Sequence, residues 1–507
     1  MKNVWNSSNG SLVIAPDPTK TYADSGSAYA RIICLKNSGA NNGTLLCTLE
    51  LYAYVNEETV WPIYRSSDNG ETWQFVTHVR DTQYGFGNKY QPVLYELPQQ
   101  LGDLPAGTLL LSGVSIPKDG SSTTITVYLS KDCGDSWNYL STVDQGGPAI
   151  CDASLGADTT SIWEPFFGLD KWDNLVCYYS DERQKKHGIH QALVHRISAD
   201  GGLTWGEMVN DVALINNNDR PGMITVTKLP NGKYFAAYEV VNRPSMANNL
   251  GPVYCKFSDD GVTWNPDEIG TQLLMDDGAG LGAAPYCKWF PAGGPNGMII
   301  VSAKWSITPD GNKTDGQSFF VNYNLGEGNW ERLPMAVTYD QDLAGYSQSF
   351  DTSLDNSILF QATCVENLST NRNEIRVGTR PLNAIRYEAE QAVLHNVQIL
   401  SSMDASGGEE VGRFLEADSS IKFEKINVPI SGIYELNIRY SNGTSEESVQ
   451  MVRVNEEKTS LVSYPVTANW SRYLWASCSV SLNEGVNAIQ FIAHYGEVEI
   501  DCIEVYS

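Results

Sequence analysis

One segment, Ser66-Ser67-Asp68-Asn69-Gly70-Glu71-Thr72-Trp73, decides the fold of this chain because close copies of it recur. The copies lie at 130–137, 198–205 and 257–264. The aspartate that corresponds to Asp68 recurs at intervals of 64, 68 and 59 residues, and the last one in this series is Asp259. A regular period of this length predicts repeated supersecondary units of about four strands each. Within each copy, Asp and Ser satisfy turn amides, Gly supplies a left-handed position and Trp packs between strands.

These repeats resemble the Asp-box of the sialidase-like superfamily, which implies an all-β fold with a six-bladed β-propeller. The family places this turn on the outer hairpin of a blade, so the box aspartates are not expected to be catalytic. Gly-containing turns followed by apolar strands extend the pattern. They add a fifth unit near 283–330 and a sixth near 343–380. The early strand 11–15 is expected to join the last blade, which would remove free sheet edges.

The pattern changes at Arg380-Pro381-Leu382-Asn383, which predicts a propeller domain at 1–382 and a second domain at 383–507. The second domain resembles carbohydrate-binding modules of the family 6 and 35 type. The resemblance rests on Tyr387-Glu388-Ala389-Glu390 and on the segments 431–436, 485–489 and 501–505. It implies a β-sandwich (jelly roll) that binds sugar. By position it also implies a structural calcium held by Glu388, Glu390 and Asp501, since hard oxygen ligands suit that ion. Trp470 and Trp475 are candidate stacking platforms for the sugar, although we expect at least one of them to be core.

The charge balance narrows the class of partner. The chain has 34 basic and 60 acidic residues, a formal charge of −26, and a field of this sign disfavours nucleic acid and anionic membranes. The basic residues are scattered, so a neutral polysaccharide is a better substrate than a polyanion. The ten cysteines stand singly without CxxC spacing, which argues against zinc and favours reduced thiols. No run reaches the roughly 18 apolar residues of a membrane span.

Glycoside cleavage needs two carboxyl groups, one to protonate the leaving oxygen and one to attack the anomeric carbon or activate water. Glu164, in Trp163-Glu164-Pro165-Phe166, and Glu239, in Ala237-Tyr238-Glu239-Val240, both interrupt apolar strands of adjacent units. A carboxylate in such a strand costs several kcal/mol unless it is paired or reaches a cavity. We therefore predict that both carboxylates face the central cavity.

The Trp-Glu-Pro segment and the Tyr-Glu segment, whose glutamates are 75 residues apart, resemble glycoside hydrolase family 93. That family comprises retaining exo-α-1,5-L-arabinanases that release arabinobiose from linear arabinan. The resemblance implies that Glu164 is the general acid/base and Glu239 the nucleophile, and it supports the pair better than the order. Tyr346, in Gly345-Tyr346-Ser347, is similar to the tyrosine nucleophile segment of sialidases, and in an arabinanase its hydroxyl would hydrogen-bond the nucleophilic carboxylate.

Arg31 resembles the first arginine of the triad with which sialidases bind a carboxylate. The other two arginines have no clear match, because Arg220 and Arg243 are not at the expected strand positions. Arg31 is therefore expected to bind sugar hydroxyls or to pair with a catalytic glutamate. Strand-end position adds five further substrate-binding candidates, namely Tyr90, Gln91, Trp163, Asn242 and Trp289.

The leading hypothesis is a retaining exo-arabinanase whose module holds it close to plant cell-wall polysaccharide. An exo-sialidase with Tyr346 as nucleophile and a non-catalytic sugar-binding propeller are the alternatives. No cofactor is expected for catalysis, and we expect a monomer without a membrane span. A secreted, cell-surface or periplasmic location is expected, although residues 1–5 show no apolar stretch of a signal peptide.

Overall fold

The structure is a computed structural model that describes residues 9–19, 26–150, 159–215, 218–242, 250–314, 316–339, 344–367 and 369–506. These residues form antiparallel sheets and three one-turn 3₁₀ helices, at Gly39–Asn41, Lys185–His187 and Ala389–Gln391. Over the described ranges, no helix has the length and hydropathy needed to cross a membrane.

Residues 9–381 hold six four-stranded sheets in their described parts. After β1 (Ser11–Ile14), sheet 1 contains β2 (Ser27–Cys34), β3 (Leu45–Leu51), β4 (Trp61–Ser66) and β5 (Gln74–Val79). Sheet 2 contains β6 (Gly87–Glu96), β7 (Leu109–Ile116), β8 (Thr123–Ser130) and β9 (Asn138–Gly146). Sheet 3 contains β10 (Ile162–Leu169), β11 (Leu175–Asp181), β12 (Ala192–Ser198) and β13 (Val209–Val212).

Sheet 4 contains β14 (Arg220–Lys228), β15 (Tyr234–Val241), β16 (Val253–Ser258) and β17 (Thr271–Gln272), and β18 (Gly280–Gly282) follows it. Sheet 5 contains β19 (Tyr286–Phe290), β20 (Met298–Ser302), β22 (Gly316–Asn322) and β23 (Glu331–Tyr339), with β21 (Trp305–Ile307) paired to β18. Sheet 6 contains β24 (Ser349–Thr352), β25 (Ile358–Asn367), β26 (Arg372–Pro381) and β1. The early strand therefore joins the last sheet, as its sequence position suggested.

The first strands of the six sheets contact one another in succession. β2 contacts β6, and the contacts continue through β10, β14, β19 and β24 back to β2. These six strands are called the inner strands below. They are strongly apolar in their middle sections, which places most of the core of residues 9–381 between neighbouring sheets.

The repeated Ser/Asp segments form turns after the third strand of sheets 1 to 4. In the first of them, the Ser66 hydroxyl donates to Asp68 (2.7 Å), which accepts the N–H of Thr72 (3.0 Å). The fourth turn is one residue shorter, and there Asp260, not Asp259, accepts the N–H of Thr263 (2.7 Å). The alignment that placed Asp259 at this position was therefore wrong by one residue, because the turn tolerates a deletion between Asp and Gly.

Each inner strand has a non-glycine residue in the left-handed region, either in its first half or, for β19 and β24, two residues before it. These residues are Tyr29, Gln91, Glu164, Met223, Ala284 and Ser347, with φ between 49° and 64°. In sheets 1 to 4 the pairing register shifts at this point, so that one extra residue bulges from the inner strand. A bulge redirects side chains and leaves backbone groups unpaired, and left-handed φ in non-glycine residues is a mark of functional sites. The six residues are called the bulge residues below.

The remaining strands form two stacked sheets. In chain order they are β27 (Ile385–Glu388), β28 (Val393–His395), β29 (Gln398–Ser401), β30 (Glu409–Gly412), β31 (Ser420–Val428), β32 (Gly432–Ser441), β33 (Ser448–Val454), β34 (Glu457–Tyr464), β35 (Leu474–Leu482), β36 (Gly485–Tyr495) and β37 (Glu499–Tyr506). One sheet has the order β29-β30-β37-β32-β35 with β27 paired to β37, and the other has the order β28-β31-β36-β33-β34. Alternating apolar residues of both sheets, such as Phe423, Leu436 and Phe491, fill the core of this sandwich.

The sandwich packs on sheets 5 and 6 through buried polar contacts. Glu504 is 1% exposed and binds Arg380 (2.8 Å), which comes from β26 of sheet 6. Arg439 donates to the carbonyl of Gln317 in sheet 5 (3.2 Å). Separating the sandwich from sheets 5 and 6 would leave Glu504 and Arg380 without each other, and a buried charge without its partner is costly. These contacts therefore hold the sandwich in one defined position on the two sheets. Nine of the ten cysteines lie in the described residues, and these nine are free thiols.

Candidate active site

Glu164 is the bulge residue of β10, with φ of 64°. Its Oε2 accepts hydrogen bonds from the hydroxyl of Ser180 (2.7 Å) and from the N–H of Met223 (2.7 Å). The Trp-Glu-Pro segment therefore turns its carboxylate out of the strand pairing and toward sheet 4. The side chain is half-buried there, and that it faces the central cavity stays a prediction.

Glu239 reaches the same place from the second strand of sheet 4. It pairs in register with Gly222, and its Oε2 accepts the N–H of Ala284 (2.7 Å). A Cβ atom built on Gly222 would lie 3.4 Å from Oε2 of Glu164 and 3.6 Å from Oε1 of Glu239. These two oxygens are therefore at most about 7 Å apart, the sum of those two distances. Retaining glycosidases hold their carboxyl groups about 5–5.5 Å apart and inverting enzymes about 6.5–9.5 Å, and the upper bound of about 7 Å accommodates the retaining distance and the short end of the inverting range.

Backbone N–H groups of the bulge residues hold these side chains from one sheet to the next. Gln91 N–H donates to Glu50 of sheet 1 (2.8 Å), and Glu164 N–H donates to the side chain of Gln91 (3.2 Å). Met223 N–H binds Glu164 and Ala284 N–H binds Glu239, as described above. Four successive bulge residues thus donate to an oxygen of the preceding sheet, and this series is called the bulge relay below.

Burial and mutual repulsion set the charge of the pair. Burial raises the pKa of Glu239 to about 7, with the negative charge of Glu164 as the second cause. Burial also raises the pKa of Glu164, against the hydrogen bond from Ser180 and the positive charge of Arg220. Two nearby carboxylates with raised pKa values share one proton over a range of pH. The site can therefore supply one acid and one carboxylate together.

Arg220 supplies positive charge beside the pair, and Glu182 holds it in place. The guanidinium donates to Oε1 of Glu182 (2.8 Å), which also accepts the indole N–H of Trp163 (3.1 Å). Trp163 is 3% exposed, so its ring is part of the wall and offers no open face to a sugar.

Arg31 is bonded to protein, and its positive charge acts on Glu50. Its guanidinium donates to the carbonyl (2.8 Å) and hydroxyl (2.9 Å) of Ser347, and it lies 4.1 Å from the ring centre of Tyr29. Tyr346 stands edge-on to Tyr29 (6.1 Å between ring centres), and burial beside Glu164 raises its pKa well above the usual value. The described contacts of Tyr346 and Glu239 do not include a hydrogen bond between the two side chains.

A cavity of about 410 Å³ adjoins this group. It is lined by Glu50, Leu51, Tyr52, Tyr54, Thr59, Lys89, Tyr90, Gln91 and Tyr346. Tyr90 and Gln91 were predicted from sequence, whereas Glu50 was missed. Burial raises the pKa of Glu50 to about 7, against the N–H of Gln91 and the charge of Arg31. The sequence contained a signal for this residue, because Glu50 interrupts the apolar strand around Leu49 and Leu51 just as Glu164 and Glu239 interrupt theirs.

Two other predicted substrate-binding residues, Asn242 and Trp289, do not line this cavity. Asn242 is a left-handed residue (φ 61°) three positions after Glu239 and is half-buried. Trp289 lies toward the far end of its inner strand, where its indole donates to the carbonyl of Asn296 in the next turn (2.9 Å). The structure therefore does not bring Trp289 to the two glutamates. Arg243 lies outside the described residues.

In the sandwich, two of the three predicted acids, Glu388 and Asp501, converge. Oxygens of Glu388 and Asp501 and the Cys502 sulfur lie within 4.8 Å of one another. The Ser406 hydroxyl lies 2.5 Å from an oxygen of Glu388 and 3.0 Å from an oxygen of Asp501, and its single proton is donated to one of them at a time. Oε2 of Glu390 is buried without a hydrogen-bond partner among the described residues. Carboxylate oxygens of this kind fit a hard cation such as calcium. Arg439 already binds Asp501, however, so part of its charge is balanced by protein.

The two predicted sugar platforms differ in exposure. Trp475 is 6% exposed, and its indole N–H points to the carbonyl of Met335 in sheet 5 (3.4 Å). It is an interface residue and presents no face to a sugar, which corrects the prediction for this residue. Trp470 is half-buried and lies against Gly443.

Comparisons with known proteins agree with this geometry. Residues 38–274 match the BNR repeat-like domain, and residues 388–507 match the carbohydrate binding module (family 6). The structure of an α-L-arabinanase of Penicillium chrysogenum complexed with arabinobiose is 34% identical, with a TM-score of 0.63, and the match covers 74% of this chain and 98% of that one. The α-L-arabinofuranosidase of Fusarium graminearum with arabinobiose, a member of glycoside hydrolase family 93, is 33% identical, with a TM-score of 0.61 and coverages of 74% and 98%.

Among curated proteins, an isomaltosyltransferase of Sporosarcina globispora is 29% identical over 110 residues, which is 22% of this chain. The chain spans only 10% of the length of that relative. The two solved structures, by contrast, are matched over nearly their whole length at more than 30% identity. By its propeller-like fold and its sequence, the chain belongs to glycoside hydrolase family 93, and it carries in addition a region of the family 6 carbohydrate-binding type.

Proposed function

We propose that this protein is a retaining, exo-acting glycoside hydrolase that cleaves linear α-1,5-L-arabinan and releases arabinobiose. The observation that carries the proposal is the pair Glu164 and Glu239, whose carboxylates flank Gly222 at no more than about 7 Å. The arabinan and arabinofuranoside activities of the matched structures supply the substrate class. The six sheets would form the blades of a closed propeller at 1–382, followed by the sandwich at 383–507.

In this mechanism one carboxyl protonates the leaving glycosidic oxygen while the other attacks the anomeric carbon. A glycosyl-enzyme ester forms, and the first residue then acts as base to activate the water that hydrolyses it. We assign Glu164 as acid/base and Glu239 as nucleophile. Hydrogen bonding alone favours the reverse, because Glu164 accepts two protein donors and hydrogen bonds to a carboxylate stabilise its ionised form.

The remaining polar residues would position the sugar. Glu50, Tyr90 and Gln91 line the adjoining cavity, where carboxylate, amide and aromatic faces meet a furanose ring. Tyr346 would adjust the charge of the pair from its position beside Tyr29. Arg31 would act through Ser347 and the local positive field, since its two terminal guanidinium nitrogens already bind protein oxygens.

A sialidase is less well supported. It would require three arginines directed at one carboxylate, whereas Arg31 binds Ser347 and Arg220 binds Glu182. We also propose that the enzyme acts outside the cell as a monomer, and that the sandwich binds wall polysaccharide and holds calcium through Glu388, Glu390 and Asp501. A structural calcium would add positive charge where these acids converge, and would need no part in the chemistry.

The test is to incubate the protein with linear debranched arabinan and to identify the products by chromatography. Arabinobiose is the expected product, and Glu164→Gln and Glu239→Gln should each lower kcat by a factor of about 10³ or more. Azide rescue of Glu164→Ala and Glu239→Ala assigns the roles, because a nucleophile variant yields arabinosyl azide of inverted configuration and an acid/base variant yields the retained azide. No cleavage by the parent protein would favour the non-catalytic sugar-binding alternative.

A further inference from the structure

A second, larger cavity lies at the other end of the inner strands. It has a volume of about 510 Å³, and residues of all six sheets line it. The lining includes Cys34, Glu96, Leu169 and Lys228, each at the end of its inner strand. The candidate active site uses the beginnings of the same strands, so the two sites open at opposite ends of the domain.

Tyr286 lies between the second cavity and Arg31. This residue lines the second cavity, and its ring centre lies 5.3 Å from the Arg31 guanidinium on the side of the active site. The ring of Phe166 packs edge-on against it at 6.0 Å. A ligand in the second cavity would therefore be separated from the catalytic pair by a layer of aromatic side chains.

Six aromatic side chains form part of the wall of the second cavity. They are Tyr95, Phe166, Phe167, Tyr178, Tyr234 and Tyr286. Tyr234 is 1% exposed, and its hydroxyl has no hydrogen-bond partner among the described residues. A buried hydroxyl without a partner is costly in a folded protein, and a ligand oxygen would satisfy it.

The charges around the cavity balance. Lys36, Lys228 and Lys288 face Glu96, Asp173 and Asp351, and Asp351 binds both Lys36 (3.1 Å) and Lys288 (2.8 Å). This lining favours neither an anion nor a cation. It suits an uncharged ligand that has both apolar faces and hydroxyl groups.

An exposed tryptophan is the sequence neighbour of a residue that lines this cavity. Trp172 is 63% exposed and precedes Asp173, which lines the cavity. The turn is ordered, because Asp170 accepts the N–H groups of Trp172 (2.8 Å) and Asn174 (2.8 Å). Within the described ranges, Trp172 is the one tryptophan whose ring is largely open to solvent. An ordered, exposed indole is a stacking platform for the C–H face of a sugar ring.

We propose that Trp172 and the second cavity form a binding site for a neutral oligosaccharide, separate from the glycosidase site and from the sandwich. Sugar rings would stack on Trp172 and on the aromatic wall, and hydroxyl groups would bond to Asp173 and Tyr234. Such a site would hold a polysaccharide chain on the face of the domain opposite to the catalytic pair.

The experiment uses the full chain with Glu239→Gln, so that the probe is not cleaved. Linear α-1,5-arabinohexaose, xylohexaose and cellohexaose are added in turn while acrylamide quenches tryptophan fluorescence. At least one hexasaccharide should protect an exposed tryptophan from quenching, and Trp172→Ala should remove that protection. Calorimetric titration should show one binding event weakened about tenfold or more, equal to about 1.4 kcal/mol, by Trp172→Ala and retained in Trp172→Phe.

Asp173→Asn is the second variant, since asparagine tolerates the left-handed backbone of this residue (φ 65°) and should weaken the same event. Trp172→Ala in the otherwise unmodified enzyme should leave cleavage of a short aryl glycoside unchanged. Equal binding of all three probes by the parent, Trp172→Ala and Asp173→Asn would overturn the proposal. It would also be overturned if Trp172→Ala reduced short-substrate cleavage and left binding intact. Arabinan cleavage by the unmodified enzyme tests the proposed function independently of either outcome.

Discussion

The N–H of Met223 donates to Oε2 of Glu164 at 2.7 Å, so a backbone group of sheet 4 holds the carboxylate of sheet 3. The second donor to that carboxylate is the hydroxyl of Ser180, also at 2.7 Å. One donor is backbone and fixed, whereas the other is a side chain that substitution removes. This difference allows the charge of Glu164 to be changed without changing Glu164 itself.

Ser180→Ala should raise the pKa of Glu164 further, because a hydrogen bond that stabilises the ionised form is lost. The pH profile of kcat/KM measures the effect. If Glu164 is the acid, the alkaline limb should move to higher pH by roughly half a unit to one unit; if it is the nucleophile, the acidic limb should move in the same direction. Ser318→Ala is the control. It removes a buried hydroxyl of β22 that has no hydrogen-bond partner among the residues described. An unchanged profile in Ser180→Ala would show that the hydroxyl does not act on the reacting pair.

Gly222→Ala should lower activity while the protein stays folded. The new methyl group would lie 3.0 Å from Nε2 of Gln191 and 3.4 Å from Oε2 of Glu164, which is closer than side chains normally pack. Misplacement of a catalytic group by about 1 Å costs on the order of 10²-fold in rate, so a 10- to 100-fold fall in kcat is expected. Gly432→Ala, whose nearest new neighbour would be 3.7 Å away, is the matched control. Activity equal to that of the control would show that the gap between the carboxylates has room to spare.

Glu239→Gln should stabilise the protein at alkaline pH and not at acid pH. The folded-state pKa of Glu239 is raised to about 7, above the ordinary value of 4.5. Stability from binding this proton is therefore complete below pH 4.5 and is lost as the pH rises through 7, whereas glutamine does not titrate. The variant should gain roughly 1–3 kcal/mol relative to the parent between pH 4 and pH 8. Thermal melts at both values measure the difference, and an equal gap at the two pH values would contradict the assigned shift.

Trp475→Ala and Trp470→Ala should have opposite signatures. Trp475 is buried between the sandwich and sheet 5, so its truncation should cost about 3–5 kcal/mol and loosen the interface. Limited proteolysis should then cut faster between the two parts. Trp470→Ala should change sugar binding by the sandwich with little change in melting temperature. Loss of sugar binding in Trp475→Ala under conditions where the protein remains folded would return Trp475 to the list of platforms.

Chelation tests the proposed calcium. A chelator should lower the melting temperature of the full chain, and added calcium should restore it, because binding to the folded state alone stabilises that state. Glu390→Gln should abolish the response, since Oε2 of Glu390 is buried and has no hydrogen-bond partner in the described part of the chain. Glu484→Gln, at an exposed position, should respond like the parent. Identical melts with chelator and with calcium would mean that Arg439 balances the acids without a metal.

The sequence indicated the repeated sheets and singled out the two glutamates because both leave a side-chain pattern. The Ser/Asp turns recur with a period, and Glu164 and Glu239 interrupt apolar strands. Glu50 carried the same signal and was overlooked. Met223 and Ala284 left no signal, because they contribute backbone N–H groups and their side chains are ordinary. The prediction that Trp289 lies near the two glutamates was wrong, because a position at a strand end does not show which end of the inner strand faces the substrate.

The bulge relay has a consequence for how the enzyme becomes active during folding. Each hydrogen bond of the relay crosses from one sheet to the next. Gln91 of sheet 2, for example, bonds to Glu50 of sheet 1 and to Glu164 of sheet 3. A single sheet can form all of its strand–strand hydrogen bonds without its neighbour. Its carboxylate then still lacks the backbone N–H group that the neighbouring sheet donates. Catalytic geometry is thus a property of assembled neighbours. During refolding, hydrolytic activity should return only after secondary structure has formed, when the last of these sheets has docked.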